Sequence, residues 1–420
     1  MTPRMLKQTL EEWSREVHVP ADLAGRALRR RSRLRLTRFA GAVSCAAVVA
    51  AVALLVPLVV APRFASPVDT GGAPVVVPVQ PYRQTTPAQD VLADTENSPP
   101  KTMIAAGRVA VSAYYTWRSR TVAGRKVLDR TWYLLDQVTG SYEKTEWGWA
   151  EVAPGLRWAA VLEKDLPVRR IGIFDMETRR VRAWVPVDHP VGGVAWSPDG
   201  TRLLATTYDE SPDLDMTSVG ERRCPPTQAA ATPEDPRKPQ YPRMTSTSRT
   251  GFYVVDVATA TSGDFHAVDP CLTDNSNVRR DFRWSDDGAL AWERSAIVRR
   301  PDAFYDLDGR PHDAPDGYVL TESQAGVSPD GTLLAGRDGM PTKVTELSTG
   351  TVVGRQQVLQ LRAWADDRRL VALGCAGTCG SEFHNGLVLV GVDGKDMVQL
   401  SVYRKNSLKP EAWQPVLTLR

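Results

Sequence analysis

A short unit of sequence recurs along the chain, and it limits the possible fold more than any other feature. The unit reads VAWSPDGTRLLA at 194–205 and AGVSPDGTLLAG at 325–336, with looser copies beginning at residues 150, 282 and 362. The residue before the Ser or Ala of each copy marks its position: Val152, Trp196, Trp284, Val327 and Trp364. The intervals are 44, 88, 43 and 37 residues. Apart from one doubled interval, they indicate structural units of regular length.

Each copy has the pattern of two β-strands joined by a tight turn. In the two strongest copies the turn is Ser197-Pro198-Asp199-Gly200 and Ser328-Pro329-Asp330-Gly331. Pro fixes φ at the first turn position, Asp can bond back to the backbone, and Gly adopts the positive φ. We therefore interpret these eight residues as a structural turn and assign them no catalytic role.

A second pattern accompanies the copies, namely an apolar β-run closed by a hairpin signal such as Thr-Gly or Asp-Gly. Five such runs follow the copies and begin at Ile171, Phe252, Ala303, Lys343 and Leu387, and a sixth begins at Trp132, before the first copy. Together the two patterns predict an all-β fold, a six-bladed β-propeller of four-stranded antiparallel blades, with seven blades as the alternative. Strands within 105–119 begin the first blade, and we expect the final segment 412–420 to pair with them and close the ring.

The doubled interval contains a segment of different composition. Residues 211–250 include seven prolines and show little periodicity. This composition is typical of a surface insertion between two strands of the third blade, and not of a missing blade.

The sequence WSPDGT followed by LLA resembles the WD-repeat-like propellers of the Tol translocation (TolB-like) type, which also occur in prolyl oligopeptidases. The resemblance spans roughly residues 100–410 and implies a fold without implying a function. A prolyl peptidase would also need a hydrolase domain, for which no residues are left. The arrangement of basic tail, anchor and propeller resembles uncharacterised single-pass membrane proteins of actinobacteria.

An apolar segment precedes the repeats. Residues 39–60 are 22 residues without a charge, long enough as a helix to span a hydrocarbon core of about 30 Å. Residues 1–38 carry ten Lys/Arg and four Asp/Glu, so the positive-inside rule keeps them cytoplasmic and places the propeller outside. Pro62 and Arg63 stand where a cleavage site would lie, which favours a retained signal-anchor.

These features predict four parts in chain order. They are a basic cytoplasmic tail (1–38) with a short helix at 6–17, a transmembrane helix (39–60), a Pro-rich extracytoplasmic linker (61–100) and the propeller (101–420). The net charge of the whole chain is +3, so the part after the tail is nearly neutral. No broad nucleic-acid-binding surface is therefore expected.

Four cysteines lie in the predicted exported domain. An even number of cysteines in such a domain favours disulfides. Cys375 and Cys379 can close a small loop, and Cys224 with Cys271 follows by elimination. Free buried thiols are the alternative for both pairs.

Few residues suggest binding or chemistry. Tyr114, Tyr115, Trp117, Trp147 and Trp149 are candidates for an aromatic surface that contacts sugar or peptide, with packing between blades as the alternative. The five histidines are scattered, no phosphate-loop or nucleophile motif occurs, and the five aspartates of 301–317 fit a solvated loop better than a calcium site. We therefore expect no cofactor and no metal.

Three functions are compatible with this sequence. The leading hypothesis is a non-catalytic binding or scaffolding propeller for protein, peptide or cell-envelope glycan. The first alternative is a lyase, lactonase or glycosidase, which would require acidic or His side chains from at least three blades to converge at the channel mouth. The second alternative is a transmembrane sensor that signals through the cytoplasmic tail. The oligomeric state is open.

Overall fold

The computed structural model describes residues 76–215, 218, 222–223, 244–245, 247–271, 278–294, 302–319, 321, 323–377, 384–404 and 412–420. The predicted cytoplasmic tail, the predicted transmembrane helix and residues 61–75 lie outside this part. The described residues form strands and turns and contain no α-helix. Among them, no helix has the length and apolar character needed to cross a membrane.

Sheet 1 is built around a long hairpin. Its strands are β1 (Val91–Leu92), β2 (Ala105–Ala106), β3 (Val109–Val122), β4 (Arg125–Asp136) and β5 (Ser141–Lys144). The register of β3 and β4 runs without interruption from Ala113 opposite Leu134 to Val122 opposite Arg125. The inner half of β3 is buried and its outer half is exposed, so the hairpin projects beyond the sheet.

Sheet 2 contains two antiparallel meanders. Its first strands are β6 (Trp149–Val152), β7 (Trp158–Leu162), β8 (Val168–Asp175), β9 (Arg180–Trp196) and β10 (Arg202–Tyr208). A separate hairpin of β11 (Arg222–Arg223) and β12 (Met244–Thr245) precedes the last three strands, β13 (Arg249–Asp256), β14 (Thr261–Ser262) and β15 (His266–Ala267). Strand β9 pairs with β8 along its first part and with β10 along its last part, and so joins the two meanders.

Three smaller sheets complete the order. Sheet 3 has β16 (Arg283–Trp284), β17 (Ala291–Glu293), β18 (Ala303–Tyr305) and β19 (Pro311–His312). Sheet 4 has β20 (Leu333–Ala335), β21 (Thr342–Glu346) and β22 (Val352–Gln356). Sheet 5 has β23 (Val358–Trp364), β24 (Arg369–Gly374), β25 (Gly386–Gly391) and β26 (Val398–Gln399). All are antiparallel meanders.

The last strand joins the end of the chain to its beginning. Strand β27 (Gln414–Leu419) pairs with β3, from Leu419 opposite Val109 to Gln414 opposite Tyr115. The Ser112 and Thr418 hydroxyls add a buried hydrogen bond of 2.7 Å. The predicted pairing of 412–420 with the first blade is therefore confirmed.

Apolar clusters connect successive sheets. They lie between sheets 1 and 2, between the two meanders of sheet 2, between sheets 2 and 3, between sheets 4 and 5, and between sheets 5 and 1. Within the described residues, these five clusters cover every step of the series except that from sheet 3 to sheet 4, and the last of them returns to sheet 1. The sheets thus form an all-β, propeller-like arrangement.

The strand order gives the arrangement two different faces. In antiparallel meanders, the turns between first and second strands and between third and fourth strands lie at the same end. This end, the tight-turn face, carries the Ser-Pro-Asp-Gly turns. The opposite end, the long-loop face, carries the β3–β4 tip, the 211–250 insertion and the segments that contain Cys271 and Cys375.

Residues 76–100 differ from the predicted linker. Val77 is 1% exposed and packs in the sheet 2 cluster, and its N–H donates to the Ala258 carbonyl. The Tyr82 N–H donates to the Asp199 carbonyl, and its hydroxyl donates to the carbonyl of Arg420. The chain divides between Thr70 and Gly71. The packed part therefore begins well before residue 101, because these side chains cover the tight-turn face.

The start of the predicted insertion also packs on the sheets. Leu214 forms an isolated bridge with Val127 of the long hairpin, and Arg125 makes an ion pair of 2.8 Å with Glu210. Most of the remaining insertion lies outside the described residues. These contacts show that the first residues of the insertion pack against the long hairpin of sheet 1.

Candidate binding site at the long-loop face

The Ser-Pro-Asp-Gly turns are held by their own hydrogen bonds. The buried Ser197 hydroxyl donates to the Asp199 carboxylate and accepts the N–H of Arg202 at 2.9 Å. Gly200 has φ +70°. The turns that begin at Ser285 and Ser328 repeat these bonds. The two predicted turn sequences thus serve local folding, and they lie on the face opposite the long loops.

The tryptophan before each of three turns links one blade-like unit to the preceding one. The indole N–H groups of Trp196, Trp284 and Trp364 donate to the carbonyls of Glu151, Ala195 and Gly326 at 2.9, 2.9 and 3.3 Å. Each acceptor is the residue before the marker position of the preceding copy. The marker tryptophans therefore link each unit to the one before it.

The five candidate aromatic residues fall into two groups. Tyr114 stacks on Tyr133 with ring centroids 4.6 Å apart, and Trp147 contacts Phe174 and Trp184 edge-on; both belong to the packed interior. Tyr115, Trp117 and Trp149 lie near the long-loop face around Arg130. The Arg130 guanidinium lies 5.5 Å from the Tyr115 ring and 5.8 Å from the Trp149 ring.

A pocket of about 200 Å³ opens beside this second group. Its lining residues are Tyr115, Trp117, Leu128, Arg130 and Gln414. Strands β3 and β4 supply the first four, and the closing strand β27 supplies Gln414. The pocket combines aromatic faces with one guanidinium and one amide, a mixture typical of ligand sites.

A network of ion pairs, which we call the mouth network, crosses the same face. It consists of Arg130, Tyr208, Asp213, Arg279 and Asp281. Arg279 donates to Asp213 at 3.0 Å and to Asp281 at 2.9 Å, Arg130 also pairs with Asp213, and the Tyr208 hydroxyl donates to Asp281. Burial opposes ionisation of Asp213, yet Arg279 and Arg130 hold its pKa below the usual value. The network ties sheet 1 to sheet 2 and to the segment before sheet 3.

Two adjacent glycines make room for this network. The Gly192 carbonyl accepts a hydrogen bond of 2.8 Å from Arg279. A Cβ at Gly193 would lie 2.3 Å from Asp281 Oδ1, which is closer than atoms can approach. The Gly-Gly pair of PVGGVAW was a sequence signal for a close polar approach at this position, and sequence reasoning missed it.

Glu151 differs from Asp213 because its pKa is raised and not lowered. It lies on β6, where its carboxylate accepts the backbone N–H of Trp196 at 3.4 Å. Burial raises the pKa of Glu151 to about 7, with a further increase from the charge of Asp281, while the Trp196 N–H and Arg283 act in the opposite direction. Glu151 is thus poised to gain or lose a proton near neutral pH.

Three acidic groups, from the first meander of sheet 2, from the insertion and from the segment before sheet 3, are linked here through Asp281, which shares Arg279 with Asp213 and whose charge acts on Glu151. Two of them, Asp213 and Asp281, are held in ion pairs with Arg279. Glu151 is the third, and it is the one of these three acids without an ion pair within the described residues. This arrangement thus leaves one carboxyl group that can take part in proton transfer.

The other predicted residues lie elsewhere or outside the described part. Cys271 and Cys375 are both disulfide-bonded, but Cys224 and Cys379 lie outside the described residues, so the predicted pairing stays a prediction. In the aspartate-rich segment, Asp306 accepts the N–H groups of Asp308 and Arg310 and so forms a hairpin turn. Across the described ranges, no group of acidic, His or Cys side chains has a metal-binding arrangement.

Comparison with known proteins finds only distant similarities to solved structures. No family model matches the chain, and no curated protein has a significantly similar sequence. Similar solved structures include hydrazine synthase of Kuenenia stuttgartiensis (13% identity, TM-score 0.32, 62% of this chain and 69% of that one). TolB of Acinetobacter baumannii has 15% identity and a TM-score of 0.33, over 70% of this chain and 63% of TolB.

Dipeptidyl peptidase 4 of Porphyromonas gingivalis has 12% identity and a TM-score of 0.33, over 70% of this chain and 44% of the peptidase. The chain thus spans less than two thirds of both TolB and the peptidase. At these TM-scores the similarities carry no functional meaning. The assignment of a propeller-like arrangement rests on the strand pairing and on the apolar clusters between sheets.

Proposed function

We propose that the chain is a non-catalytic binding propeller that takes its ligand at the long-loop face. One observation carries the proposal: the pocket of about 200 Å³ lies there, between aromatic side chains, Arg130 and Gln414. The tight-turn face offers short uniform turns and is partly covered by residues 76–100. Rigid sheets that present longer loops suit recognition of a partner.

We further propose that the ring has six blades. Sheet 2 contributes two blades joined by β9, and sheets 1, 3, 4 and 5 contribute one each. Sheet 4 has three strands, and the bridge between Val327 and Leu334 marks the position of its innermost strand. This count agrees with the six hairpin signals in the sequence.

The cellular arrangement that we propose follows from the sequence. Residues 39–60 anchor the protein in the membrane, the basic tail stays in the cytoplasm, and the propeller lies outside with disulfides Cys224–Cys271 and Cys375–Cys379. A reporter active only in the cytoplasm and fused after Arg420 should be inactive. Activity of that reporter would contradict this topology.

Photo-crosslinking in intact membranes tests the binding face. A photoreactive phenylalanine derivative replaces Trp117 in the pocket, or Val138 as the control. Val138 is 77% exposed and lies in the β4–β5 turn of the tight-turn face. We expect a discrete adduct from position 117 and none from position 138. Equal labelling at both positions would show that the long-loop face is not a preferred binding surface.

Glu151 supports a second candidate function, an enzyme that uses one acid–base group. Its pKa of about 7 suits general acid–base catalysis. A panel of chromogenic lactones and glycosides, assayed with the native chain and with Glu151→Gln, tests this alternative. Turnover by the native chain that falls at least a hundredfold in Glu151→Gln would favour the enzyme. Equal rates would remove Glu151 from consideration.

A further inference from the structure

Two groups of arginines within the described residues differ in how their charge is compensated. Arg249 and Arg280 both pair with Glu293, and Arg130 and Arg279 both pair with Asp213. Each of these guanidinium groups thus contacts a carboxylate at hydrogen-bond distance, the usual partner of a charge removed from water. Arg249 and Arg280 share the single carboxylate of Glu293, whereas Arg130 and Arg279 have both Asp213 and Asp281.

Four other arginines have no such carboxylate. We call Arg283, Arg294, Arg362 and Arg404 the central arginines. Among the described residues, none of them lies within ion-pair distance of an Asp or Glu. Arg404 is 2% exposed, and its acceptors within the described residues are all neutral: Asn385 Oδ1, the Trp413 carbonyl and Gln414 Oε1.

Arg283 and Arg362 have even fewer partners. Neither guanidinium group makes a hydrogen bond to another described residue, and Arg362 Nε is buried without an acceptor. Arg294 donates to the Thr321 hydroxyl at 3.1 Å, but its Nε is also buried without an acceptor. Arg283 is exposed, and Arg294 and Arg362 are half-buried. A guanidinium with unused N–H groups at such a position is well suited to an added acceptor.

Two of the central arginines lie on innermost strands, which line the centre of a propeller-like ring. Arg283 lies on β16, the innermost strand of sheet 3, and Arg362 lies on β23, the innermost strand of sheet 5. Burial lowers the pKa of Arg362, and the charge of Arg283 lowers it further. Burial lowers the pKa of Arg404 to about 10, and the charge of Arg362 adds to that effect. Because sheet 4 separates sheets 3 and 5 along the ring, this interaction acts through the centre.

The acids in the same region do not balance this charge. Glu151 has a pKa of about 7 and is only partly ionised at neutral pH. Asp338 accepts a hydrogen bond of 2.9 Å from Gln360, and burial raises its pKa. Asp281 is already paired with Arg279. Asp302 also acts on the charge of Arg283, and its carboxylate accepts the hydroxyl of Tyr318. Among the described residues, none of these acids contacts a central guanidinium directly.

We infer that Arg283 and Arg362 bind an oxyanion, a carboxylate or phosphate group of the ligand, at the centre of the ring. Guanidinium N–H groups match the geometry of two oxygens on one anion. Tyr115 lines the neighbouring pocket and also acts electrostatically on Arg362, so a ligand can place its anionic group on the arginines and another part in the pocket. The inference deepens the proposed function, because it names the charged group of that ligand.

Anion binding to the purified full chain in detergent tests this inference. The probes are inorganic phosphate and citrate, titrated at constant ionic strength against sodium chloride, with thermal unfolding and calorimetry as readouts. We expect saturable binding that raises the unfolding temperature. In Arg283→Gln and in Arg362→Gln the Kd should rise about tenfold or more, the loss expected for one charge-assisted hydrogen bond. Phosphate and citrate in parallel distinguish a phosphate from a carboxylate ligand.

Matched variants separate site binding from general effects of charge. Arg355→Gln removes an exposed arginine on edge strand β22 and should leave the Kd unchanged. Arg362→Lys keeps the charge but loses the planar fork, so it should weaken binding less than Arg362→Gln. The unfolding temperature of each variant in chloride shows whether it is folded.

Two results would overturn the inference. One is the absence of saturable stabilisation by either anion, and the other is an equal Kd in Arg355→Gln, Arg283→Gln and Arg362→Gln. If either result occurs while a photoreactive residue at position 117 still crosslinks a partner, the proposed binding face stands. Only the inference that the ligand carries an anionic group is then excluded.

Discussion

At the residue scale, the repeated serine has more structural importance than its sequence suggests. From the sequence alone, Gly200 is the sensitive position of the turn and Ser197 contributes at most one local hydrogen bond. The structure buries Ser197 completely and gives its hydroxyl two partners, Asp199 and the Arg202 N–H. A Cβ at Gly200, by contrast, would meet only ordinary contacts, with Pro154 at 3.7 Å.

Substitutions of Ser197 and Gly200 should therefore differ less in their effect on stability than the sequence alone predicts. Gly200→Val introduces backbone strain of about 1–3 kcal/mol, because a β-branched residue disfavours φ +70°. Ser197→Ala leaves a buried N–H without an acceptor and should also cost about 1–3 kcal/mol. Denaturant unfolding of a fragment that begins at Gly71 measures both. Thr201→Ala is the comparison: Thr201 is half-buried and its hydroxyl donates to Asp199 at 2.8 Å, so its loss removes one side-chain hydrogen bond of the turn and should cost less than Ser197→Ala.

The pKa of Glu151 predicts a dependence of stability on pH. It rises from 4.5 to about 7 on folding, so the folded chain binds this proton more tightly than the unfolded chain. This contribution to the free energy of unfolding is fully present below pH 4.5 and is lost as the pH rises through 7. Glu151→Gln mimics the protonated group, so its stability relative to the native fragment should increase between pH 5 and pH 8 by about 2–3 kcal/mol, since each unit between the folded and unfolded pKa values is worth about 1.4 kcal/mol.

Denaturant unfolding of both proteins between pH 5 and pH 8 measures this difference. A native fragment whose stability falls with pH no more than that of Glu151→Gln would contradict the raised pKa. Asp209→Asn, an exposed acid at the start of the insertion, is the matched control for removal of one carboxylate. It should follow the native curve.

At the scale of elements, the insertion and the long hairpin support each other. The Asp213 carbonyl accepts the N–H of Leu128, and the Asp215 N–H donates to the Lys126 carbonyl, so the first residues of the insertion extend the hairpin as an added strand. The low periodicity of 211–250 in the sequence conceals this pairing. Short backbone pairings of this kind depend on neighbouring strands and leave no hydrophobic pattern of their own.

Two deletions within the insertion should therefore give different results. Removal of 225–242 keeps Cys224, β11, β12 and the paired residues 213–215, and closing a shorter surface loop changes little free energy. Removal of 214–248 takes away the contacts with the hairpin and the Thr247 hydrogen bond to the Val278 carbonyl. With Cys271→Ser in both variants, we expect the shorter deletion to unfold like its parent and the longer one to unfold at a lower temperature. Identical transitions would show that these contacts contribute nothing.

At the scale of the whole molecule, the sequence predicted the repeating architecture but little of the candidate site. The turn residues, the marker tryptophans and the closing strand are local signals, and they could be recognised because each has its own pattern. The mouth network could not, because Arg130, Asp213 and Arg279 are far apart in the chain and meet only when three units pack together. Isolated charged residues in a sequence are ordinarily solvated, so nothing local distinguished the central arginines from surface arginines.

Closure of the ring by β27 should determine whether the propeller unfolds as one unit. Residues 412–420 bury Trp413 between sheets 1 and 5 and pair with β3 along six residue positions. Without them, β3 has an open edge and sheet 1 loses its innermost strand, and domains of this kind have only about 5–15 kcal/mol of total stability.

A fragment of residues 71–411 should therefore lose its single cooperative thermal transition, and a synthetic peptide of residues 412–420 should partly restore it. Thr418→Val, which removes only the hydrogen bond to Ser112, should keep the transition and lower its midpoint slightly. A cooperative transition in the truncated fragment equal to that of residues 71–420 would show that the other contacts between sheets close the ring without β27.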